Sequence, residues 1–264
     1  MIKLIASDVD GTLVKDSSPY IYPEMPEAVR QLKKKDILFC VASGRQYYSI
    51  RNMFRDVADD ISYIAENGAH IIYQGKTLYT SEMNREYAKG IVNLYREHRD
   101  TCECIVSTPK MTLMETDNRE FIELIRNGYR NRFEVVHDVL ETTDPIIKVS
   151  IYKKDGIRKL GEEEFIPCWQ DKVKATMAGE EWVDFMSKDV DKGNGLRVLC
   201  EHLGISREET IAFGDNDNDI GLLKAAGVSY AVETARESVK QIADYVCPSY
   251  AEKGVYQIIK KLIS

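Results

Sequence analysis

Short apolar runs that end abruptly in polar residues constrain this chain more than any other feature. "IKLIAS" (2–7) gives way to Asp8-Val9-Asp10, "ILFCVAS" (37–43) to Gly44-Arg45, and "TIAFG" (210–214) to "DNDND". Such runs lack polar alternation, as strands buried on both faces do. "ISYIAE" (61–66) is a further run, and "EMPEAVRQLKKK" (24–35) and "RQYYSIRNMF" (45–54) between the first three have helical spacing. Strand, helix, strand, helix, strand predicts a parallel sheet wrapped by helices. Next, "AHIIYQGKTLYT" (69–80) predicts a hairpin turning at Gln74-Gly75.

The middle of the chain differs in character. "NREYAKGIVNLYREHR" (84–99) puts Tyr87, Ile91, Leu94, Tyr95 and His98 on one helical face, and strand-like "CECIVST" (102–108) and "KMTLMET" (110–116) follow. Asp117 and Glu120 have capping-box spacing ahead of the helix "EFIELIRNGY". Further strands are expected at 145–153, 172–178 and 181–187. This strand-rich stretch predicts a separate α+β module over 81–186, inserted into an α/β domain made of 1–80 and 187–264. In the last segment Gly193–Leu203 reads as a helix stopped by Gly204, and Ser206 and Glu209 form a second capping box. A chain of 264 residues is long enough for this arrangement.

A net charge of −7 leaves no electrostatic footprint for nucleic acid or an anionic membrane. No run of about 18 apolar residues and no signal segment is found, so a cytoplasmic protein is expected. The six cysteines are scattered and read as free buried thiols. Cys102 and Cys104 have no second Cys or His cluster beside them for zinc. Cys40 is followed by Arg45 one residue short of a cysteine-phosphatase spacing, and Gly75-Lys76-Thr77 lacks the preceding glycine of a P-loop.

Ligands of open parallel sheets bind outside the carboxyl ends of the strands. Four polar stretches are expected at or near such ends: Asp8/Asp10/Thr12, Ser43-Gly44-Arg45, Asp191-Lys192-Gly193, and Asp215 through Asp219. Several carboxylates without histidine make a hard-oxygen site, which suits Mg²⁺ rather than zinc or iron. Lys192 and the amides around Gly11, Gly44 and Gly193 complement a phosphoryl group. A divalent cation offsets the repulsion between the carboxylates, and an ionised Asp beside a phosphoryl can act as nucleophile. Each stretch has a plainer reading alone: a polar turn, a Ser-Gly turn, a solvated helix start, or a calcium loop lacking the later EF-hand ligands. Their joint occurrence, in order, singles out the phosphoryl site.

"DVDGT" (8–12), "ASGR" (42–45), "DKGNG" (191–195) and "GDNDND" (214–219) resemble, in order, the four motifs of haloacid dehalogenase-like (HAD) phosphatases. The long insert between the second and third motifs is similar to the Cof-type branch with a type IIB α/β cap, as is "ENGA" after the third strand. The resemblance implies a Rossmann-like core with an inserted α+β cap, and an Mg²⁺-dependent phosphatase acting on small phosphoesters, sugar phosphates above all. By position it makes Asp8 the nucleophile and Asp10 the acid and base. The Asp8 carboxylate, the Asp10 backbone carbonyl and Asp215 would bind Mg²⁺. Ser43, Gly44, Lys192 and Asn218 would hold the phosphoryl oxygens. Thr12 and Asp219 would support them, and Arg45 is a candidate substrate contact. Thr234, Glu233 and Asp191 depart from the branch pattern at the cleft rim. A phosphomannomutase-like transfer and a non-catalytic binding protein are the alternatives. A monomer or weak homodimer with no nucleic-acid or membrane partner is expected.

Overall fold

The computed structural model describes residues 1–16 and 18–264. Along the chain run β1 (Leu4–Ser7), α1 (Glu24–Lys34), β2 (Leu38–Ala42), α2 (Tyr47–Met53), β3 (Ser62–Ala65), β4 (His70–Tyr73) and β5 (Lys76–Thr80). There follow α3 (Arg85–Arg96), β6 (Glu103–Ser107), β7 (Thr112–Met114), α4 (Arg119–Glu123), β8 (Phe133–Val135) and β9 (Lys148–Tyr152). Next are α5 (Arg158–Leu160), α6 (Ile166–Trp169), β10 (Lys174–Ala178) and β11 (Trp182–Met186). The chain ends with α7 (Lys192–Leu203), β12 (Thr210–Gly214), α8 (Ile220–Ala225), β13 (Val228–Val232), α9 (Glu237–Lys240), β14 (Tyr245–Cys247) and α10 (Gly254–Ile263). Two compact units result, Met1–Tyr79 with Asp191–Ser264, and Thr80–Val190.

The first unit holds an eight-stranded sheet of order β14-β13-β12-β1-β2-β3-β4-β5. The pairs from β14 to β3 are all parallel, and β4 adds antiparallel to β3. β1 and β12 are buried at every residue, as strands covered on both faces must be. Helix α1 buries Met25, Ala28, Val29 and Leu32, the i, i+3, i+4, i+7 stripe of an amphipathic helix. Burial of each larger member contributes about 1.5–3 kcal/mol. The β4–β5 connection turns at Gln74 and Gly75, both at positive φ, as tight hairpins require.

The second unit is a six-stranded sheet of order β10-β11-β9-β6-β7-β8, antiparallel except for β7 with β8. Cys104 and Val106 of β6, Val149 and Ile151 of β9, and Val183 and Phe185 of β11 alternate onto one face. There they pack with Ala88, Ile91, Val92 and Tyr95 of α3. That period-2 pattern meeting a period-3.6 stripe builds an α+β layer pair.

Three local expectations are corrected. The cap of α4 is Asn118 and not Asp117, because Asn118 Oδ1 accepts from the amides of Glu120 (3.1 Å) and Phe121 (3.3 Å). Cys168 is exposed and Cys200 half-buried, although all six thiols are free. Helix α3 stops at Arg96, short of the residue 99 that its periodicity suggests. No helix among the described residues is long and apolar enough to cross a membrane.

Candidate active site

The winding of the large sheet reverses between β1 and β12: β2 and β3 extend one side, β13 and β14 the other. Open α/β sheets leave a crevice at such a point. Asp8 follows β1 there and Asp215 follows β12, while Ser43 follows β2. The third polar stretch differs from expectation. Asp191-Lys192-Gly193 follows β11, a strand of the other sheet, and reaches the site as the start of α7. Asp191 Oδ1 caps that helix by accepting from the amides of Gly193 (2.8 Å) and Asn194 (3.1 Å).

Lys192 is buried, and its ammonium donates to Asp8 Oδ1 and to Asp219 Oδ1, each at 2.6 Å. The other oxygen of Asp219 accepts from the amides of Asp215 (3.0 Å) and Asn216 (3.1 Å), so both its oxygens are committed. Asp8 differs: its Oδ2 is buried with no hydrogen-bond partner among the described residues. Carboxylate oxygens of Asp8, Asp215 and Asp219 lie within 4.8 Å of one another.

The electrostatics follow from this crowding. Burial, and then the charge of Asp219, push the Asp8 carboxyl well above the usual carboxylate range, against the pull of Lys192. Burial and Asp219 likewise push Asp215 up to about 6, although Thr12 Oγ1 donates to its Oδ1 at 2.9 Å. Burial alone would lower the Lys192 ammonium, but Asp219 and Asp8 hold it above the ordinary lysine value. A buried oxygen without a donor, next to carboxylates that bind protons too tightly, is relieved by a hard cation. The cluster can therefore bind a metal ion. Asp8 and Asp215 have the capacity to hold it, and Asp219 is tied to Lys192 and to its own turn.

Gly11 lets the two loops meet. Its φ is +81°, and a Cβ there would stand 2.3 Å from Asp215 Oδ2. The Asp10 carboxylate lies outside the three-carboxylate group. Arg45 clasps it, Nε donating to Oδ2 at 2.8 Å and Nη2 to Oδ1 at 2.5 Å, a bidentate pair. Arg45, expected from the sequence as a candidate substrate contact, is paired with Asp10 in this structure. Ser43 is buried, and its Oγ accepts from the Arg45 amide at 3.1 Å. Asn218 is exposed, and its Nδ2 donates to Asn67 Oδ1 at 3.1 Å. Asn67 carries no acid, base or charge and drew no role from the sequence. Its signal was the Asn-Gly pair, two residues tolerant of left-handed backbone, directly after a buried strand.

A family model described as haloacid dehalogenase-like hydrolase matches residues 5–259. The 5-amino-6-(5-phospho-D-ribitylamino)uracil phosphatase YbjI of Escherichia coli (strain K12) is 30% identical over 264 residues, 99% of this chain and 96% of that protein. A crystal structure from Eubacterium rectale matches with a TM-score of 0.89 at 35% identity, covering 99% of each chain. The HAD subclass IIB sugar phosphatase BT4131 matches with a TM-score of 0.81 at 25% identity, over 99% of this chain and 100% of that one.

Proposed function

Since this chain belongs to the haloacid dehalogenase-like hydrolases, in their Cof-type branch, and is a phosphatase of small phosphorylated molecules, we propose that it cleaves sugar or polyol phosphates with Mg²⁺ through an aspartyl-phosphate on Asp8. The observation that carries this reading is the state of Asp8: one oxygen on Lys192, the other buried and unpartnered. The sugar-type substrate is supported by the names of the ribityl-phosphate and sugar phosphatases to which the chain is similar.

In this mechanism an Asp8 oxygen attacks phosphorus as the bond to the leaving oxygen breaks, and Asp10 gives that oxygen a proton. Water then attacks the aspartyl-phosphate, Asp10 takes the proton from the water, and the bond between phosphorus and Asp8 breaks. Both Asp10 oxygens accept from Arg45 in the resting structure, so each proton transfer requires Arg45 to release one of them. Lys192, Ser43, the Gly44 amide and Asn218 hold the phosphoryl oxygens, so that catalysis is mostly positioning and charge neutralisation. Asp8, the Asp10 carbonyl and Asp215 would hold Mg²⁺, which would supply positive charge beside the phosphoryl oxygens and favour the ionised form of Asp8. The unit over 80–190 serves as the cap, contributing specificity.

A panel of small phosphoesters assayed with Mg²⁺ tests this, with Asp8→Asn beside the wild type. Phosphate release from sugar phosphates in the wild type and none in Asp8→Asn is the expected result. Normal turnover by Asp8→Asn would rule the aspartyl-phosphate route out.

A further inference from the structure

The turn Glu66-Asn67-Gly68 after β3 is built at a conformational cost: all three residues have positive φ, 50°, 58° and 104°. Glutamate gains nothing from that region, so the surroundings must impose it. The contacts of the turn lie within the motif loops. The Glu66 amide donates to the Arg45 carbonyl (3.1 Å), and the Asn67 amide donates to the Ser43 carbonyl (2.9 Å). The Asn67 side-chain amide lies flat against Gly44, 3.0–3.4 Å from where a Cβ would be. Its Oδ1 accepts from Asn218, a side chain otherwise standing in solvent. Gly68 packs on the Asp191 carbonyl, 2.3 Å from its own missing Cβ, directly before Lys192. One three-residue turn therefore touches the second, third and fourth motifs, and through Arg45 the clasp on Asp10.

We propose that Asn67 is a positioning residue for phosphoryl binding: its side chain sets Gly44 and Asn218 at the separation that a phosphoryl group requires. Resting on the phosphatase reading of the site, the role predicts a defect in ground-state phosphate affinity and not in folding. Two variants separate the side chain from the strained backbone, because both tolerate left-handed φ. Asn67→Gly removes the acceptor and the wedge against Gly44. Asn67→Asp keeps the acceptor and adds a charge that repels phosphate.

The test measures KM and kcat for p-nitrophenyl phosphate, inhibition by inorganic phosphate, and Tm, with Asp8→Asn as reference. Asn67→Gly is expected to raise KM and the inhibition constant together by about three- to tenfold, the loss of one hydrogen bond. Asn67→Asp is expected to raise both further, with kcat changed less than KM and Tm close to wild type in both variants. In Asn67→Gly/Asn218→Ala the effects are expected to be less than additive, since both changes remove one contact. Wild-type KM and inhibition constants in both Asn67 variants, with Asp8→Asn inactive, would overturn the role of Asn67 alone. A lowered Tm with unchanged KM would overturn it too, by leaving a structural role only. Turnover surviving in Asp8→Asn would instead overturn the reading of the site on which it rests.

Discussion

Asp215 shows how a single residue is tuned against itself. Half-buried beside Asp219, its carboxyl binds a proton more tightly than an exposed Asp, with a pKa of about 6 against an ordinary 3.8. Because the folded value lies above the unfolded one, this group's contribution to metal-free stability is full below about pH 4 and is lost as pH rises through about 6. A cation reverses the sign, because it binds the ionised form and competes with the proton. Mg²⁺ is therefore expected to raise Tm clearly at pH 7.5 and little at pH 5, with half of the effect lost near pH 6. Thermal unfolding at a series of pH values, with and without Mg²⁺, checks this, and a Mg²⁺ stabilisation independent of pH would contradict it. Lys192 carries the opposite load. Its ammonium compensates two buried carboxylates at once, an arrangement in which removing one partner leaves uncompensated charge.

At the scale of elements, the loops matter more than the strands that carry them. The turn after β1 passes so close to Asp215 that only hydrogen fits at Gly11. Gly11→Ala is expected to cost about 1–3 kcal/mol, from positive φ and the displaced carboxylate together. It is also expected to weaken Mg²⁺ binding about 10–100-fold, the usual effect of disturbing the support of a ligand. Calorimetric Mg²⁺ titration beside chemical denaturation checks both, and unchanged affinity would show that Asp215 is not a ligand. Short helices obey the same local rule at their starts. Asn84 caps α3, its Oδ1 accepting from the amides of Glu86 (2.9 Å) and Tyr87 (3.3 Å), as Asn118 caps α4. Asp117 had the required spacing to Glu120, yet the amides chose its neighbour, because the backbone enters the helix one residue later than the pattern implies. The helical stretch from Arg158 to Trp169 escaped notice for a related reason. Gly161 and three consecutive glutamates interrupt its apolar stripe, and burial of Phe165 in the core decides the helix instead.

At the scale of the whole molecule, each unit closes its own core: Leu4, Phe39, Tyr63 and Phe213 belong to the core of the first unit, Ile91, Val149, Phe165 and Phe185 to that of the second. Phe185→Ala is expected to cost about 3–5 kcal/mol by the cavity it leaves. Hydrogen exchange should locate the loss within 80–190, and an equal loss of protection in β1 and β12 would refute two separate cores. The parallel sheet was legible in the sequence because strands buried on both faces must be continuously apolar, and the four motif stretches because they occur together and in order, although each alone reads as an ordinary turn or helix start. The sequence by itself therefore determined the α/β class and the identity of the charged residues. What only the tertiary structure decided is which of them pair. Arg45 with Asp10, Lys192 between Asp8 and Asp219, and Asn67 between Gly44 and Asn218 join residues 23 to 184 positions apart. Side-chain pairing over such separations depends on strand order and loop register, and one-dimensional spacing records neither.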